Sequence, residues 1–167
     1  MKVKPLVGVS ACLLGRNVRY DGESKLTPHI SDSLGSAVEF LPICPEVEFG
    51  LGVPREAVQL VDSQNGVRLQ TLDFCRDETE RMTEWANKRL DDLAGLPLCG
   101  FVFKSRSPSC ALRGLDVFDS SGEIVRSDAS GIFARMFLER FPDIPVEDED
   151  GLADPTARDS FISRVKK

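Results

Sequence analysis

The sequence has 167 residues, of which 41% are hydrophobic and 29% are charged. That length and composition suit one folded domain with a substantial core, and they argue against an intrinsically disordered protein. The net charge of −6 argues against a protein that binds nucleic acid directly, because such proteins are normally basic.

Strands and helices alternate in the predicted order. Apolar runs predict strands over 6–9, 38–43, 98–103 and 115–118, and a hairpin that joins 58–61 to 67–69 through Asn65-Gly66. Helical spacing predicts helices near 31–37, from Asp77 to Gly95, from Ile132 to Phe141, and after Asp154-Pro155. This alternation predicts a single α/β layered domain over residues 1–167, Rossmann-like, with a mostly parallel central sheet. We expect residues 142–167 to form an acidic linker and a short C-terminal helix that packs back on the domain.

The sequence also bears on the compartment. No signal-peptide region precedes the first strand, and no apolar run approaches the ~20 residues that span a bilayer. Five cysteines, an odd number, fit reduced thiols better than a disulfide framework. We therefore expect a cytoplasmic protein that does not contact membranes; its oligomeric state is left open.

Three of the five cysteines come shortly after predicted strands. Cys12 follows the strand over 6–9, Cys44 follows the strand over 38–43, and Cys110 lies in the loop after 98–103. The carboxyl ends of parallel strands share one sheet edge, where open α/β sheets bind their ligands. The pattern therefore predicts a three-thiol metal site with one coordination position open, as catalytic metals require. The alternative is that these cysteines, too, are small buried apolar residues. We interpret Cys75 and Cys99 as small buried apolar residues.

Other polar residues lie close to these cysteines in sequence. Glu46 comes two residues after Cys44, so in an extended segment both side chains face the same way. Ser107 and Ser109 flank Pro108 before Cys110, in a loop whose N–H groups are able to bind an anion. A carboxyl and a hydroxyl beside an open metal position predict hydrolytic chemistry, with Glu46 as general acid or base. The alternatives are a surface salt bridge for Glu46 and a turn or cap for Ser107.

Basic residues also surround the cysteine loops. Arg16, Arg19 and Tyr20 follow Cys12 and are candidates to line a substrate pocket, together with Ser109. A locally basic site in an acidic protein suits an anionic ligand; the alternative is an ordinary solvated surface. His29 is interpreted as a surface residue. As the one histidine, it makes a Ser-His-Asp or Cys-His hydrolase very unfavourable.

The cysteine-containing segments, taken together, resemble the bacterial thiouracil desulfurase family, which was long described as a family of unknown function. The matching blocks are Val9-Ser10-Ala11-Cys12-Leu13-Leu14-Gly15 with Val18–Gly22, Cys44-Pro45-Glu46-Val47 with Gly50–Arg55, and Lys104 with Ser107-Pro108-Ser109-Cys110. A weaker similarity continues through 131–134, 141–142 and 154–162. The blocks occur in the family's order and cover nearly the whole chain.

The resemblance implies a [4Fe-4S] cluster held by Cys12, Cys44 and Cys110, whose fourth iron is free to take sulfur from the substrate. It also implies catalytic roles for Glu46 and Ser107, and a reaction that replaces a thiocarbonyl sulfur with oxygen in a small thiolated, nucleobase-like substrate. Spacing alone leaves zinc as the alternative metal. One alternative function is a sulfur-transfer or sulfur-carrier protein that uses the same cluster. Another is a structural metal-binding interaction module, and a third is a metal-free domain that binds a small anion.

One departure from the family pattern concerns the residue after Cys110. The family usually has Gly there, and this chain has Ala111. If the position needs a positive φ or a close approach of the backbone, we expect alanine to strain the loop around the third cysteine.

Overall fold

The computed structural model describes residues 2–167; Met1, where the predicted domain begins, lies outside the described residues. A first sheet, sheet A, contains β1 (Leu6–Ser10), β2 (Glu39–Ile43), β5 (Leu98–Phe103) and β8 (Val146–Asp148). Its strand order is β2-β1-β5-β8, and every neighbouring pair is parallel. The prediction of an α/β fold with a mostly parallel central sheet is thereby confirmed.

A second sheet, sheet B, was not separated from the first in the sequence prediction. It contains β3 (Val58–Ser63), β4 (Gly66–Thr71), β6 (Leu115–Phe118) and β7 (Ile124–Ala129), in the order β4-β3-β6-β7. The predicted hairpin is β3 and β4, and Gly66 in its turn has φ +86°. Strand β7 is almost entirely exposed, so it lacks the apolar pattern by which strands are predicted.

Four helices complete the fold: α1 (Pro45–Glu48), α2 (Thr79–Ala94), α3 (Ile132–Arg140) and α4 (Pro155–Val165). The start of α4 is as predicted, because the Asp154 carboxylate accepts the N–H groups of Thr156 and Ala157. The helix predicted near 31–37 is a single wide turn over His29–Leu34. Within residues 2–167, no helix has both the length and the apolar character needed to cross a membrane.

Helix α2 begins two residues later than predicted. The side chain of Glu80 binds Arg68 on β4 and does not return to cap the helix. Asp77 instead accepts the N–H of Thr79 at 3.0 Å, so the helix begins at Thr79.

The main core lies between the two sheets and helices α2 and α3. Phe101 and Phe103 project from β5 and stack with ring centroids 4.2 Å apart. Phe137 of α3 packs edge-on against both rings, at 5.0 and 5.4 Å. This aromatic cluster fixes β5 against α3; β5 leads into the loop that carries Cys110, and α3 begins beside that loop.

The prediction of an acidic linker near the C-terminus is corrected by the structure, in which this segment contains a strand. It contains β8, which pairs with β5, and the next residue, Glu149, is only 6% exposed. Buried carboxylates need partners, and those of Glu149 lie in the site at the sheet edge. The predicted short helix at the end of the segment is α4.

Candidate functional site

A cavity of about 660 Å³ lies at the carboxyl edge of sheet A. The segments that follow all four strands of the sheet line it, and their lining residues include Cys12, Cys44, Cys110 and Glu149. The structure therefore brings together three cysteines that are separated by 32 and 66 positions in the chain.

The other predicted site residues divide between the cavity wall and its surroundings. Glu46, Ser107, Arg19 and Tyr20 line the cavity. Ser109 is fully buried and is not a lining residue, but its hydroxyl donates a hydrogen bond to Glu46, which does line the cavity. Arg16 is exposed and is not among the lining residues.

The remaining two cysteines lie away from this site. Cys75 is exposed in the loop before α2, so its interpretation as a buried apolar residue is wrong. Cys99 is half-buried in β5, and its thiol donates to the carbonyl oxygen of Pro97. Neither cysteine lines the cavity.

Cys12 is held in a tight turn that follows β1. The turn spans Ala11–Leu14 and ends at Gly15, whose φ of +87° is one that L side chains rarely adopt. The carbonyl oxygen of Cys12 accepts the N–H groups of Gly15 at 3.2 Å and Lys25 at 3.0 Å. Burial raises the pKa of the Cys12 thiol to about 11, against the effect of the Lys104 ammonium.

Cys44 caps the short helix α1, in which Pro45 takes the first position. The N–H of Cys44 donates to the Glu48 carboxylate at 3.1 Å, which fixes the backbone at the end of β2. Burial raises the pKa of this thiol as well.

Cys110 lies in a turn that Ser107 organises. The Ser107 hydroxyl oxygen accepts the N–H groups of Ser109 at 3.3 Å and Cys110 at 3.1 Å. The capping alternative for Ser107 is therefore what the structure shows, and the same side chain also lines the cavity. Burial raises the pKa of the Cys110 thiol, although a hydrogen bond with Ser10 opposes the shift.

The Cys110 turn is packed against the beginning of α3. The N–H of Ile132 donates to the carbonyl oxygen of Pro108, and that of Gly131 donates to the carbonyl oxygen of Ala111. Ala111 is buried and is not among the residues with positive φ. A positive φ, one condition for strain at Ala111, is therefore not met.

The three thiols do not form a site for a single metal ion. Three sulfur ligands of a single zinc ion lie within about 4 Å of each other. Within residues 2–167, no three His, Cys, Asp or Glu side chains converge closely enough to hold one metal ion. The zinc alternative thus has no support in the structure.

Glu46 is held at both carboxylate oxygens. Arg55 Nε donates to Oε1 at 3.1 Å, and Ser109 Oγ donates to Oε2 at 2.9 Å. The side chains of Arg55 and Glu46 are 5% and 12% exposed, so this ion pair is largely buried. The surface salt bridge considered for Glu46 is thus a buried one, and its partner, Arg55, was part of a matched block but was not predicted as a site residue.

A second polar group in the cavity was missed entirely. Glu149 accepts Lys104 Nζ at 2.7 Å, and it accepts the N–H and hydroxyl of Ser105 at 2.8 and 2.6 Å. Burial alone would raise the pKa of Glu149, but these hydrogen bonds outweigh it and lower the pKa. His29 Nε2 lies 2.7 Å from the carbonyl oxygen of Glu149. His29 is half-buried and lines the cavity, so its interpretation as a surface residue is wrong.

Similarity to known proteins agrees with the resemblance of the cysteine-containing segments. A family model described as 2-thiouracil desulfurase matches residues 7–149. One similar solved structure is described as a [4Fe-4S]-dependent thiouracil desulfidase, TudS. It shares 31% sequence identity with this chain, with a TM-score of 0.67, over 95% of this chain and 99% of the other. No curated protein sequence matches the chain significantly.

Proposed function

The chain belongs to the 2-thiouracil desulfurase family, whose model matches residues 7–149, and on this basis we propose that it is an enzyme that desulfurates thiouracil or a closely related thiolated base. The observation that carries the proposal is the meeting of Cys12, Cys44 and Cys110 in one cavity beside Glu46. The similar structure described as [4Fe-4S]-dependent supports a cluster in the same cavity.

The chemistry of the donors fits such a cluster. Burial raises the pKa of all three thiols, so they resist ionisation unless a positively charged group binds them. Metal ions supply that charge and deprotonate thiols that coordinate them. Cys12, Cys44 and Cys110 would hold three corners of a [4Fe-4S] cluster. When bound, the cluster supplies an iron with an open coordination position that acts as a Lewis acid and accepts sulfur.

The reaction itself exchanges one atom. Water supplies the oxygen of the new C=O bond, the C=S bond breaks, and sulfur leaves as sulfide, so no net oxidation or reduction occurs. The residues of this chain then have to bind the ring, direct the water and move its protons.

Glu46 is the residue that moves protons. Its carboxylate accepts a proton from the water that attacks the thiocarbonyl carbon, and it passes the proton on to the departing sulfur or a ring nitrogen. Arg55 and Ser109 hold both oxygens in place while it does so. Ser107 Oγ already accepts two N–H groups, so its hydroxyl hydrogen is free to orient the substrate or the water.

The experiment that tests the proposal is anaerobic purification with iron, sulfide and zinc analysis, followed by incubation with 2-thiouracil. We expect about four irons and four sulfides per chain, lost in each of the serine variants of Cys12, Cys44 and Cys110. Cys75→Ser and Cys99→Ser are the matched controls, because neither residue lines the cavity, and they should keep the cluster. Failure of the reconstituted wild type to convert 2-thiouracil to uracil would overturn the proposal.

The alternative functions make different predictions in the same assay. A sulfur-transfer or sulfur-carrier protein would retain the sulfur, so it would release less free sulfide than uracil. A structural interaction module would bind the metal but convert no substrate. Equal yields of uracil and sulfide favour hydrolytic desulfuration over both.

A further inference from the structure

His29 is a cavity residue whose ring has no role in the chemistry described so far. It begins the turn His29–Leu34, and the segment before it is tied to the Cys12 turn. The N–H of Lys25 donates to the carbonyl oxygen of Cys12 at 3.0 Å, and the N–H of Thr27 donates to that of Leu13 at 3.0 Å. These bonds hold His29 on the Cys12 side of the cavity.

The hydrogen bond of His29 fixes which ring nitrogen carries the proton. Its Nε2 lies 2.7 Å from the carbonyl oxygen of Glu149. Because a carbonyl oxygen only accepts, Nε2 must carry the hydrogen, and Nδ1 of the neutral ring is left as an acceptor.

The acceptor nitrogen of His29 is available to a ligand. Nδ1 makes no hydrogen bond within the described residues. Among those residues, the one fully buried side-chain nitrogen or oxygen without a partner is Arg89 Nε, so His29 Nδ1 is not sealed inside the protein. His29 lines the cavity, so a molecule that enters the cavity meets this side chain.

The partner of His29 is itself rigidly held. The Glu149 carboxylate accepts three hydrogen bonds, from Lys104 Nζ and from the N–H and hydroxyl of Ser105. Glu149 also follows directly after β8, which is paired with the central part of sheet A. A carbonyl on such a residue holds the imidazole in one orientation, as an outer partner orients a ligand-binding histidine.

The carboxylates of the cavity wall already accept hydrogen bonds from protein groups. Both oxygens of Glu46 and both oxygens of Glu149 already accept hydrogen bonds. Asp150 is paired with Arg106 at 2.8 Å. The remaining charged side chains of the cavity wall are the cations Arg19, Lys25 and Arg55, which only donate.

We propose that His29 Nδ1 accepts a ring N–H of the substrate, and that this contact makes the site selective for cyclic thioamides with an N–H next to the C=S group. The inference rests on the proposed desulfuration and deepens it, because it names the part of the substrate that the protein reads. A thiopyrimidine ring carries such N–H groups beside its C=S and C=O groups, and its acceptors suit the cationic groups of the cavity.

The kinetic test combines a change in the protein with a change in the substrate. His29→Phe keeps an aromatic ring at this position but has no acceptor in place of Nδ1. The substrates are 2-thiouracil and its 1-methyl and 3-methyl derivatives. We expect the variant to lose about tenfold in kcat/KM for 2-thiouracil, the effect of one hydrogen bond. For the derivative whose methyl group replaces the bound N–H, the loss should be less than about twofold.

The ratio of the kcat/KM losses for unmethylated and methylated substrates separates a lost substrate contact from a general structural defect of the variant. Methylation changes the intrinsic reactivity of the ring equally in both proteins, so that effect cancels in the ratio. Equal losses for all three substrates would overturn the inference, and so would wild-type kinetics in His29→Phe. A wild type that converts none of the three substrates would instead overturn the proposed function.

A second readout does not depend on turnover. The sequence contains one histidine, so holoprotein prepared without a histidine tag gives a single imidazole ¹⁵N pattern. We expect protonated Nε2 and unprotonated Nδ1, and a shift of the Nδ1 resonance when uracil, the product with the same ring N–H groups, is added. An Nδ1 resonance unchanged up to the solubility limit of uracil would overturn the inference even if the enzyme is active.

Discussion

Ser109 Oγ donates a hydrogen bond to Glu46 Oε2 at 2.9 Å, although the two residues are 63 positions apart in the chain. The contact joins the start of α1 to the Cys110 turn. Arg55 holds the other oxygen of the same carboxylate at 3.1 Å. The orientation of Glu46 is therefore set by two partners on two different loops, which is the preorganisation that a proton-transferring group needs.

Replacement of Glu46 by glutamine should slow desulfuration by roughly 10²–10⁴-fold, the usual contribution of a general acid or base. The amide keeps the shape of the side chain but cannot accept a proton, so iron and sulfide content should stay at the wild-type level. Single-turnover conversion of 2-thiouracil measures the rate. The matched control is Glu56→Gln, because Glu56 is exposed and is not a cavity-lining residue. Unchanged turnover in Glu46→Gln would remove this residue from the mechanism.

Ser107 should show a structural effect that can be separated from any catalytic one. Its oxygen accepts the N–H groups of Ser109 and Cys110, so Ser107→Ala should lower the free energy of unfolding by about 1 kcal/mol, as for other lost caps. Urea unfolding measures this loss, and Ser107→Thr should restore most of it because the acceptor is retained. If the alanine variant keeps wild-type stability, the hydroxyl does not organise the Cys110 turn.

The cysteine site could be predicted because its signals are local. Each of Cys12, Cys44 and Cys110 comes shortly after an apolar strand, and the rule that parallel strands end at one edge brings them together. No local signal identifies the metal group that the cysteines bind. The [4Fe-4S] assignment came from the resemblance to the family.

The partners of the site residues could not be predicted in the same way. The contacts of Glu46 with Ser109 and of Lys104 with Glu149 join positions 63 and 45 apart, and nothing in a single sequence pairs them. Glu149 was also hidden in an acidic run, where composition predicts a solvated segment. Its burial depends on β8, a three-residue strand too short to show a periodic pattern.

The Glu149 network should make stability depend on acidic pH. Burial alone would raise its pKa, but hydrogen bonds from Lys104 and Ser105 hold the pKa below the ordinary value of 4.5. A carboxyl group with a lowered pKa in the folded state stabilises the fold fully above its unfolded pKa, and this contribution is lost as the pH falls through the folded value. The free energy of unfolding of the wild type should therefore decrease from about pH 4.5 downward.

Urea unfolding at a series of pH values tests this prediction. Glu149→Gln should be less stable than the wild type at neutral pH, and the gap should narrow as the pH falls below about 4.5, because the wild type then loses the charge that the variant lacks. Glu139→Gln is the control, since Glu139 is exposed on α3. A gap between wild type and Glu149→Gln that stays constant with pH would contradict the assignment of this carboxylate as ionised and paired.

Gly131 should be intolerant of any side chain, because α3 begins in direct contact with the Cys110 turn. A Cβ at Gly131 would lie 2.6 Å from the backbone nitrogen of Cys110, and backbone atoms have little freedom to move aside. We expect Gly131→Ala to lower the free energy of unfolding by about 1–3 kcal/mol, as overpacking usually does. It should also lower the iron content by displacing Cys110.

The control for Gly131→Ala is Gly95→Ala at the end of α2. Gly95 has φ −84°, and its nearest neighbour to a new Cβ is the carbonyl oxygen of Asp92 at 3.4 Å, an ordinary contact. This variant should keep the wild-type iron content and nearly the wild-type stability. Of these two glycines, Gly131 alone touches the backbone of a cysteine turn. A loss of iron in both variants would therefore show that iron is lost through general destabilisation of the fold. Retention of iron and stability in Gly131→Ala would show that α3 does not hold the third cysteine in place.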